Sequence, residues 1–166
     1  KRGSAWEAIS HIQPGDHVVI AGMAAEPRSL VKELVEQRDR LHDITIYTSF
    51  PVDEPLYGSR EAGGAFTIKT FSVGALGGAI RRKQASYLPC HFSDVGSYFS
   101  DGTLPLDVAL LQISPPDGAG FCSYGLSVEY YPEVVKAAPL VLAEMNSQMP
   151  RTHGDSLVHE SEVIVF

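Results

Sequence analysis

Apolar residues in this chain fall into two alternating patterns. Short runs rich in β-branched residues are stopped by Gly, Pro or Asn, and between them lie stretches whose apolar positions recur every three to four residues. His17-Val18-Val19-Ile20-Ala21 is the first short run, and Gly22 ends it. Leu30, Val31, Leu34, Val35 and Arg38 then recur at helical spacing, with Lys32, Glu33 and Glu36 on the other face. This predicts an amphipathic helix from Pro27, a favourable first helical residue, to about Arg40. Ile44-Thr45-Ile46-Tyr47-Thr48 is the second strand. Strand, loop, helix and strand in this compass make a βαβ unit, with parallel pairing and a right-handed crossover.

The alternation continues. Residues 66–73 read as a third strand, followed by the glycine-rich Gly74-Ala75-Leu76-Gly77-Gly78 and a helical segment at 80–84. The glycines allow a close backbone approach, to a ligand or to a neighbouring element. A short strand fits within residues 85–90, and Ser93 is placed to cap a short helix through Phe99. Residues 107–113 form an apolar central strand that breaks at Ser114-Pro115-Pro116-Asp117-Gly118. Residues 118–125 suggest a hairpin-like excursion. Ser127 is placed to cap the next helix, whose apolar stripe is Tyr131, Val134, Val135 and Ala138; Pro132 is tolerated near its start. Residues 140–145 are the last clear strand, and 163–166 end apolar, as an edge strand would. Short helical pieces are expected at 6–9 and 59–62.

The expected fold is therefore α/β, a mostly parallel sheet flanked by helices. The loops at 22–26, 74–78, 114–120 and 146–155 should gather on one rim beyond the strand ends, where such sheets bind ligands. The first of these loops has one glycine and no GxGxxG, so it fails as a dinucleotide fingerprint.

Composition narrows the function. A length of 166 residues suits one domain, 1–166. The net charge of −7 argues against nucleic acid as a partner. The densest basic run, Arg81-Arg82-Lys83, is either a solvated helix face or a phosphate-contacting patch. No apolar run is long enough to span a membrane, and no signal peptide is evident, so a cytoplasmic protein is expected, or a mitochondrial one in a eukaryote. Cys90 and Cys122 lack CxxC spacing, which predicts two reduced, partly buried thiols and no zinc site. Ser123 is not in a GxSxG elbow. The adjacency of Cys90 and His91 does not make a catalytic pair. His153 and Asp155 lack a third metal ligand. Glu26 and Glu144 sit near the rim, where a carboxylate can attack an activated carbonyl. Helix-terminus stabilisation for Glu26 and an ordinary hydrogen-bonded acceptor for Glu144 explain them equally well.

Four stretches carry a more specific signal: GMAAEP at 22–27, YLPCHFSDV at 87–95, DVALLQISPPDGAGFCSYGLS at 107–127 and AEMNSQMPRTHGDSLVHES at 143–161. Through them, and in this order, the chain resembles the N-terminal part of the acetyl-CoA hydrolase/transferase family, which includes 4-hydroxybutyrate, succinyl and acetate CoA-transferases. The resemblance implies a CoA-transferase-like domain. It implies chemistry in which a glutamate attacks an acyl-CoA thioester, the CoA thiolate returns to form a glutamyl-CoA, and an acceptor acid resolves it. Hydrolysis is the same path with water as acceptor. The family's nucleophilic glutamate belongs to a C-terminal domain, so no catalytic residue is assigned in this chain. The resemblance implies a pocket for acyl group and carboxylate lined by Gly22, Met23, Ala24, Glu26 and Pro27, by Ser114, Pro115, Pro116, Gly118, Gly120 and Phe121, and by Met149, Pro150 and Arg151. A guanidinium can hold a carboxylate bidentately, so Arg151 is the best anion-facing candidate; a loop salt bridge is its alternative. Coenzyme A or an acyl-CoA is the implied substrate, with no metal. The implied partners are small carboxylic acids and a C-terminal catalytic domain, in cis or on a second chain, within a homo-oligomer of the full protein. On this view the isolated chain is inactive. A non-catalytic CoA-binding or scaffolding domain is the competing class.

Overall fold

The computed structural model describes residues 3–62 and 64–165. Among these, nine strands occur in chain order: β1 (His17–Ile20), β2 (Ile44–Thr48), β3 (Phe66–Thr70), β4 (Ala85–Tyr87), β5 (Val108–Ile113), β6 (Phe121–Ser123), β7 (Leu140–Met145), β8 (Leu157–His159) and β9 (Ile164–Val165). Seven of them form one wholly parallel sheet in the order β4-β3-β2-β1-β5-β7-β9, so β1 is central and β5 lies beside it. The helices are α1 (Ala5–Ser10), α2 (Arg28–Glu36), α3 (Gly77–Arg81), α4 (Val95–Ser100) and α5 (Tyr131–Ala137).

Strand alternation divides the core in two. Val18, Ile20, Ile46, Ile68 and Leu110 point to the face covered by α1, α2 and α3. Val19, Tyr47, Ala109, Leu111 and Val141 point to the face covered by α4 and α5. A strand covered on both sides has no solvent face, which is why all six residues of β5 are buried. On α2 the predicted stripe seats Leu30, Val31 and Leu34, each worth roughly 1.5–3 kcal/mol by apolar burial.

Several boundaries differ from expectation. α2 stops at Glu36, not Arg40, because Leu41 is the next residue the core takes up and the chain turns to deliver it. Arg40 instead reaches back to the carbonyls of Ile9 (2.6 Å) and Ile12 (2.8 Å) at the end of α1. Pro27 is the N-cap of α2 and not its first helical residue. β3 ends at Thr70, whose hydroxyl bonds the Ser72 amide and carbonyl in a tight local turn. α3 begins at Gly77, earlier than the segment at 80–84, after a single 3₁₀ turn at Gly74–Leu76. Ser93 is not a cap: it lies in the 3₁₀ turn Phe92–Asp94, and its hydroxyl turns to the Asp94 carboxylate. Ser127 is buried ahead of α5, which starts at Tyr131 with Pro132 in its first turn. The excursion at 118–125 closes over a long range, because β6 pairs antiparallel with β8. At the other edge β9 adds to β7, while Phe166 of the expected 163–166 strand lies outside the described residues.

Candidate functional site

The chain builds outward from β1 through β2, β3 and β4, then returns to lay β5 on the other side of β1. The order of connection reverses there, and in open parallel sheets the region beyond the C-terminal strand ends at such a reversal is where ligands bind. Two loops meet on this rim. A Cβ on Gly22 would lie 1.9 Å from the Ser49 carbonyl oxygen, so only glycine lets the loops after β1 and β2 touch. The Met23 amide then donates to the Phe50 carbonyl (3.1 Å).

Backbone strain is concentrated here. Of the five non-glycine residues with left-handed φ among the described residues, three are Met23 (53°), Phe50 (46°) and Glu129 (45°). Asp43 and Lys83 are the others, one residue ahead of β2 and two ahead of β4, at the opposite end of the sheet. Each such conformation costs about 1–3 kcal/mol and persists only where its surroundings enforce it. Met23 and Phe50 turn their side chains outward, 47% and 42% exposed. The Phe50 ring meets Phe92 at 5.3 Å, and Phe92 meets Tyr130 at 5.6 Å, so an aromatic stack runs from the open rim into the core.

Hydroxyl groups lie beneath that stack. Ser49 Oγ donates to Glu129 Oε2 (3.1 Å) and lies 3.0 Å from the Tyr130 hydroxyl. Tyr131 donates to the same Glu129 oxygen (3.4 Å) and accepts from the Gly22 amide (2.8 Å). Burial raises the Glu129 carboxyl above its ordinary value, against the hydroxyls of Ser49, Tyr131 and Ser127. Burial likewise pushes the Tyr130 and Tyr131 phenols upward, so both stay protonated donors.

The loop after β5 is held differently. Asp117 accepts from the Ala119 (2.9 Å) and Phe121 (3.0 Å) amides, and its other oxygen meets Arg151 at 2.9 Å. Arg151 also donates to the carbonyls of Phe121 (2.9 Å) and Pro115 (3.3 Å). The amides of Phe121 and Ala119, and after them Arg151 and His159, hold the Asp117 carboxyl below its usual range. In this state Arg151 is the loop salt bridge of the two expected readings. Gly125, at φ 68°, admits Met149 beneath it: an added Cβ would fall 2.2 Å from the Met149 sulfur.

A side-chain bridge joins the two halves. Gln112 on β5 donates to the Glu26 carbonyl (3.2 Å) and accepts from the Asn146 amide (3.0 Å). Glu144 on β7 accepts from the Ser29 (2.8 Å) and Leu30 (3.4 Å) amides, which makes it the acceptor for the open N-terminus of α2. Glu26 opens into a cleft of about 260 Å³ with Arg28 and Asp53; burial raises its carboxyl, opposed by Arg28 and reinforced by Asp53.

The three loops expected to line a pocket do share one rim. Gly22, Pro27, Ser114 and Met149 are buried and act as scaffold, whereas Met23, Ala24, Gly118, Phe121, Pro150 and Arg151 are exposed. Glu26, Pro115, Pro116 and Gly120 lie half-buried between them. Arg82 of the basic run is engaged by Glu54 and the Gly58 carbonyl, both at 2.6 Å. Cys90 and Cys122 are free, and burial raises both thiols, the wrong direction for a nucleophile. Among the described residues, no cluster of three His, Cys, Asp or Glu could hold a metal ion, and no helix is long and apolar enough to cross a membrane. Sequence reasoning missed Ser49, Phe50, Gln112, Glu129, Tyr130 and Tyr131. The position of Ser49 and Phe50 just past β2 was an available signal; the others act across long sequence separations that leave no local pattern.

Comparison with known proteins agrees with this geometry. The model of the acetyl-CoA hydrolase/transferase N-terminal domain matches residues 1–165. A 4-hydroxybutyrate coenzyme A transferase of Clostridium kluyveri is 37% identical over 161 residues, covering 96% of this chain and 38% of its own length. A succinyl-CoA:acetate/propanoyl-CoA:succinate CoA transferase of Fasciola hepatica is 34% identical, covering 96% of this chain and 34% of its own. The crystal structure of a 4-hydroxybutyrate CoA-transferase from Porphyromonas gingivalis superposes with a TM-score of 0.79 at 30% identity, over all of this chain and 39% of that one. The chain thus spans little more than a third of the length of these relatives. With a parallel sheet whose connections reverse at β1 and a family match along almost its entire length, this chain belongs to the acetyl-CoA hydrolase/transferase family, in which it corresponds to the N-terminal domain.

Proposed function

We propose that this chain forms one wall of the reaction chamber of an enzyme that moves CoA from an acyl-CoA to a small carboxylic acid of the acetate, succinate or 4-hydroxybutyrate type. The observation that carries this reading is the rim itself. Met23, Phe50 and Phe92 hold apolar surface open to solvent at the switch point, in a chain matching 38% of a CoA-transferase's length. Such a surface suits an acyl chain and a covering domain.

In the proposed reaction a glutamate carboxylate from that covering domain attacks the thioester carbonyl. CoA thiolate leaves and an acyl-glutamyl anhydride remains. The thiolate then attacks the glutamyl carbonyl, releasing the first acid and leaving glutamyl-CoA. An acceptor carboxylate reverses both steps, which regenerates the glutamate and yields a new acyl-CoA. In this scheme Met23, Ala24 and Glu26 face the acyl group from the loop after β1, with Gly22 and Pro27 setting its path. Pro115, Pro116, Gly118, Gly120 and Phe121 form the opposite wall, with Ser114, Met149, Pro150 and Arg151 fixing its height. Water in place of the acceptor acid gives the hydrolase reaction at the same site.

The test is CoA exchange between acetyl-CoA and added succinate or 4-hydroxybutyrate. It compares the 166-residue chain with the longer protein that includes a C-terminal domain. Turnover by the longer protein alone is the expected result. Full-rate exchange by the short chain would overturn the division of labour, and absence of exchange in both would overturn the reading.

A further inference from the structure

We propose that Glu129 is a positioning residue that sets the loops after β1 and β2 from behind, acting through hydroxyl groups and never touching the substrate. Its hydrogen-bond wiring runs one way. Ser49 has a single hydroxyl proton and spends it on Glu129 Oε2, so the Tyr130 hydroxyl must donate to Ser49. Tyr131 also spends its proton on Glu129, which turns its lone pair toward the Gly22 amide. Ser49 and Tyr131 are thus oriented by one carboxyl oxygen, and Tyr130 through Ser49; the two paths end on the rim at the Gly22 amide, next to Met23, and at the Ser49 side chain, next to Phe50.

Two further observations support the assignment. Glu129 holds a left-handed φ of 45° in the same place as Met23 and Phe50, the two residues that present the apolar wall. It also lies between two cavities, of about 590 and 390 Å³, lined on both sides by Glu133 and on one by Lys136. The side chains that hold its carboxyl are the Ser49 and Tyr131 hydroxyls, so removing the carboxyl releases both and the loops they are tied to.

The kinetic consequence rests on the CoA-transfer reading, whereas the wiring does not, and the experiment separates them. Hydrogen exchange by mass spectrometry on the intact protein compares wild type with Glu129→Gly and Glu129→Gln. Glycine suits the left-handed φ and keeps the fold while removing the carboxyl; glutamine keeps an acceptor oxygen. The amides of the 22–27 peptide, to which Pro27 contributes none, should exchange about tenfold or more faster in Glu129→Gly and within about threefold of wild type in Glu129→Gln, with the β4 peptide unchanged in both. CoA exchange should fall about 10- to 100-fold in kcat/KM for Glu129→Gly and be restored in Glu129→Gln, as expected when a reacting group's support is displaced. A carboxyl that merely stabilises the fold would leave exchange at 22–27 tracking that of β4. That result, or unaltered exchange at 22–27 in Glu129→Gly, or damage in Glu129→Gln equal to that in Glu129→Gly, would overturn the proposal. A wild type with no CoA exchange would defeat the CoA-transfer reading and leave the amide contrast to decide the wiring.

Discussion

At one end of the rim, the loops after β1 and β2 are tied down by three buried hydroxyls: Ser49 and Tyr131 bond the Glu129 carboxyl, and Tyr130 bonds Ser49. At the other end, the loop at 114–121 is tied by Arg151 and Asp117, whose side chains are 40% and 39% exposed. Both anchors fix a loop beyond the end of a parallel strand. The first works in a low dielectric, where an unmade hydrogen bond carries a large penalty and salt has little reach. The second works in water, where charges are screened and water can replace lost partners. The buried anchor should therefore set shape, and the exposed one should adjust it.

The largest effect should come from Gly22→Ala. Its Cβ has no room before the Ser49 carbonyl, and backbone cannot yield as a flexible side chain can, so a loss of about 3 kcal/mol or more is expected in urea unfolding. An alanine variant of wild-type stability would mean that the two loops do not touch. Tyr131→Phe comes next. It leaves the buried Gly22 amide without its acceptor, a loss of about 1–3 kcal/mol on the same measurement.

The third effect depends on pH. Burial raises the Glu129 carboxyl above the ordinary 4.5, so the folded state keeps this proton where the unfolded chain releases it. The group's contribution to stability is therefore complete below about pH 4.5 and is lost as pH rises through its folded value. Unfolding midpoints measured from about pH 4 to about pH 8 should show that decline, and Glu129→Gln should flatten it. Glu26, also raised by burial, would account for the slope that remains. An unchanged slope in Glu129→Gln would remove the carboxyl from the buried anchor.

The smallest effect belongs to the exposed end. Arg151→Ala should shift the unfolding midpoint only slightly at low salt, and the shift should fade in about 1 M NaCl, where screening is nearly complete. Asp117 has the opposite sign to Glu129: its carboxyl is lowered, so its contribution is present above the ordinary carboxylate value and lost as pH falls through the folded one. A large, salt-independent loss in Arg151→Ala would erase the contrast between the two anchors.

The strands β2 and β7 were legible to the residue, because a run such as Ile44-Thr45-Ile46-Tyr47-Thr48, bounded by polar turns, has no helical alternative. Local hydrogen bonding at the ends of elements was less legible. Ser93 and Ser127 both have the composition of caps, yet one bonds its neighbour's carboxylate and the other is packed away, since where a helix begins depends on what its first turn must cover. The rim loops around Gly22, Ser114 and Arg151 could be identified as a shared neighbourhood from their position after strands. The role of Arg151 within it could not, because that required knowing that Asp117 and the Phe121 carbonyl fold back to meet it.

Apolar periodicity was enough to define a parallel α/β domain, because each strand and helix follows from residues that are neighbours in the chain, and the four stretches at 22–27, 87–95, 107–127 and 143–161 together pointed to its family. Only the tertiary structure decided that Gly22, Ser49 and Glu129 meet, that Glu144 caps a helix, and that Met23 and Phe50 stand strained and exposed on the rim. The hydrogen bonds from Gly22 to Tyr131, from Ser29 to Glu144 and from Ser49 to Glu129 join residues roughly 80 to 115 positions apart. Contacts over such separations come from sheet order and side-chain packing, which no local stretch of sequence specifies.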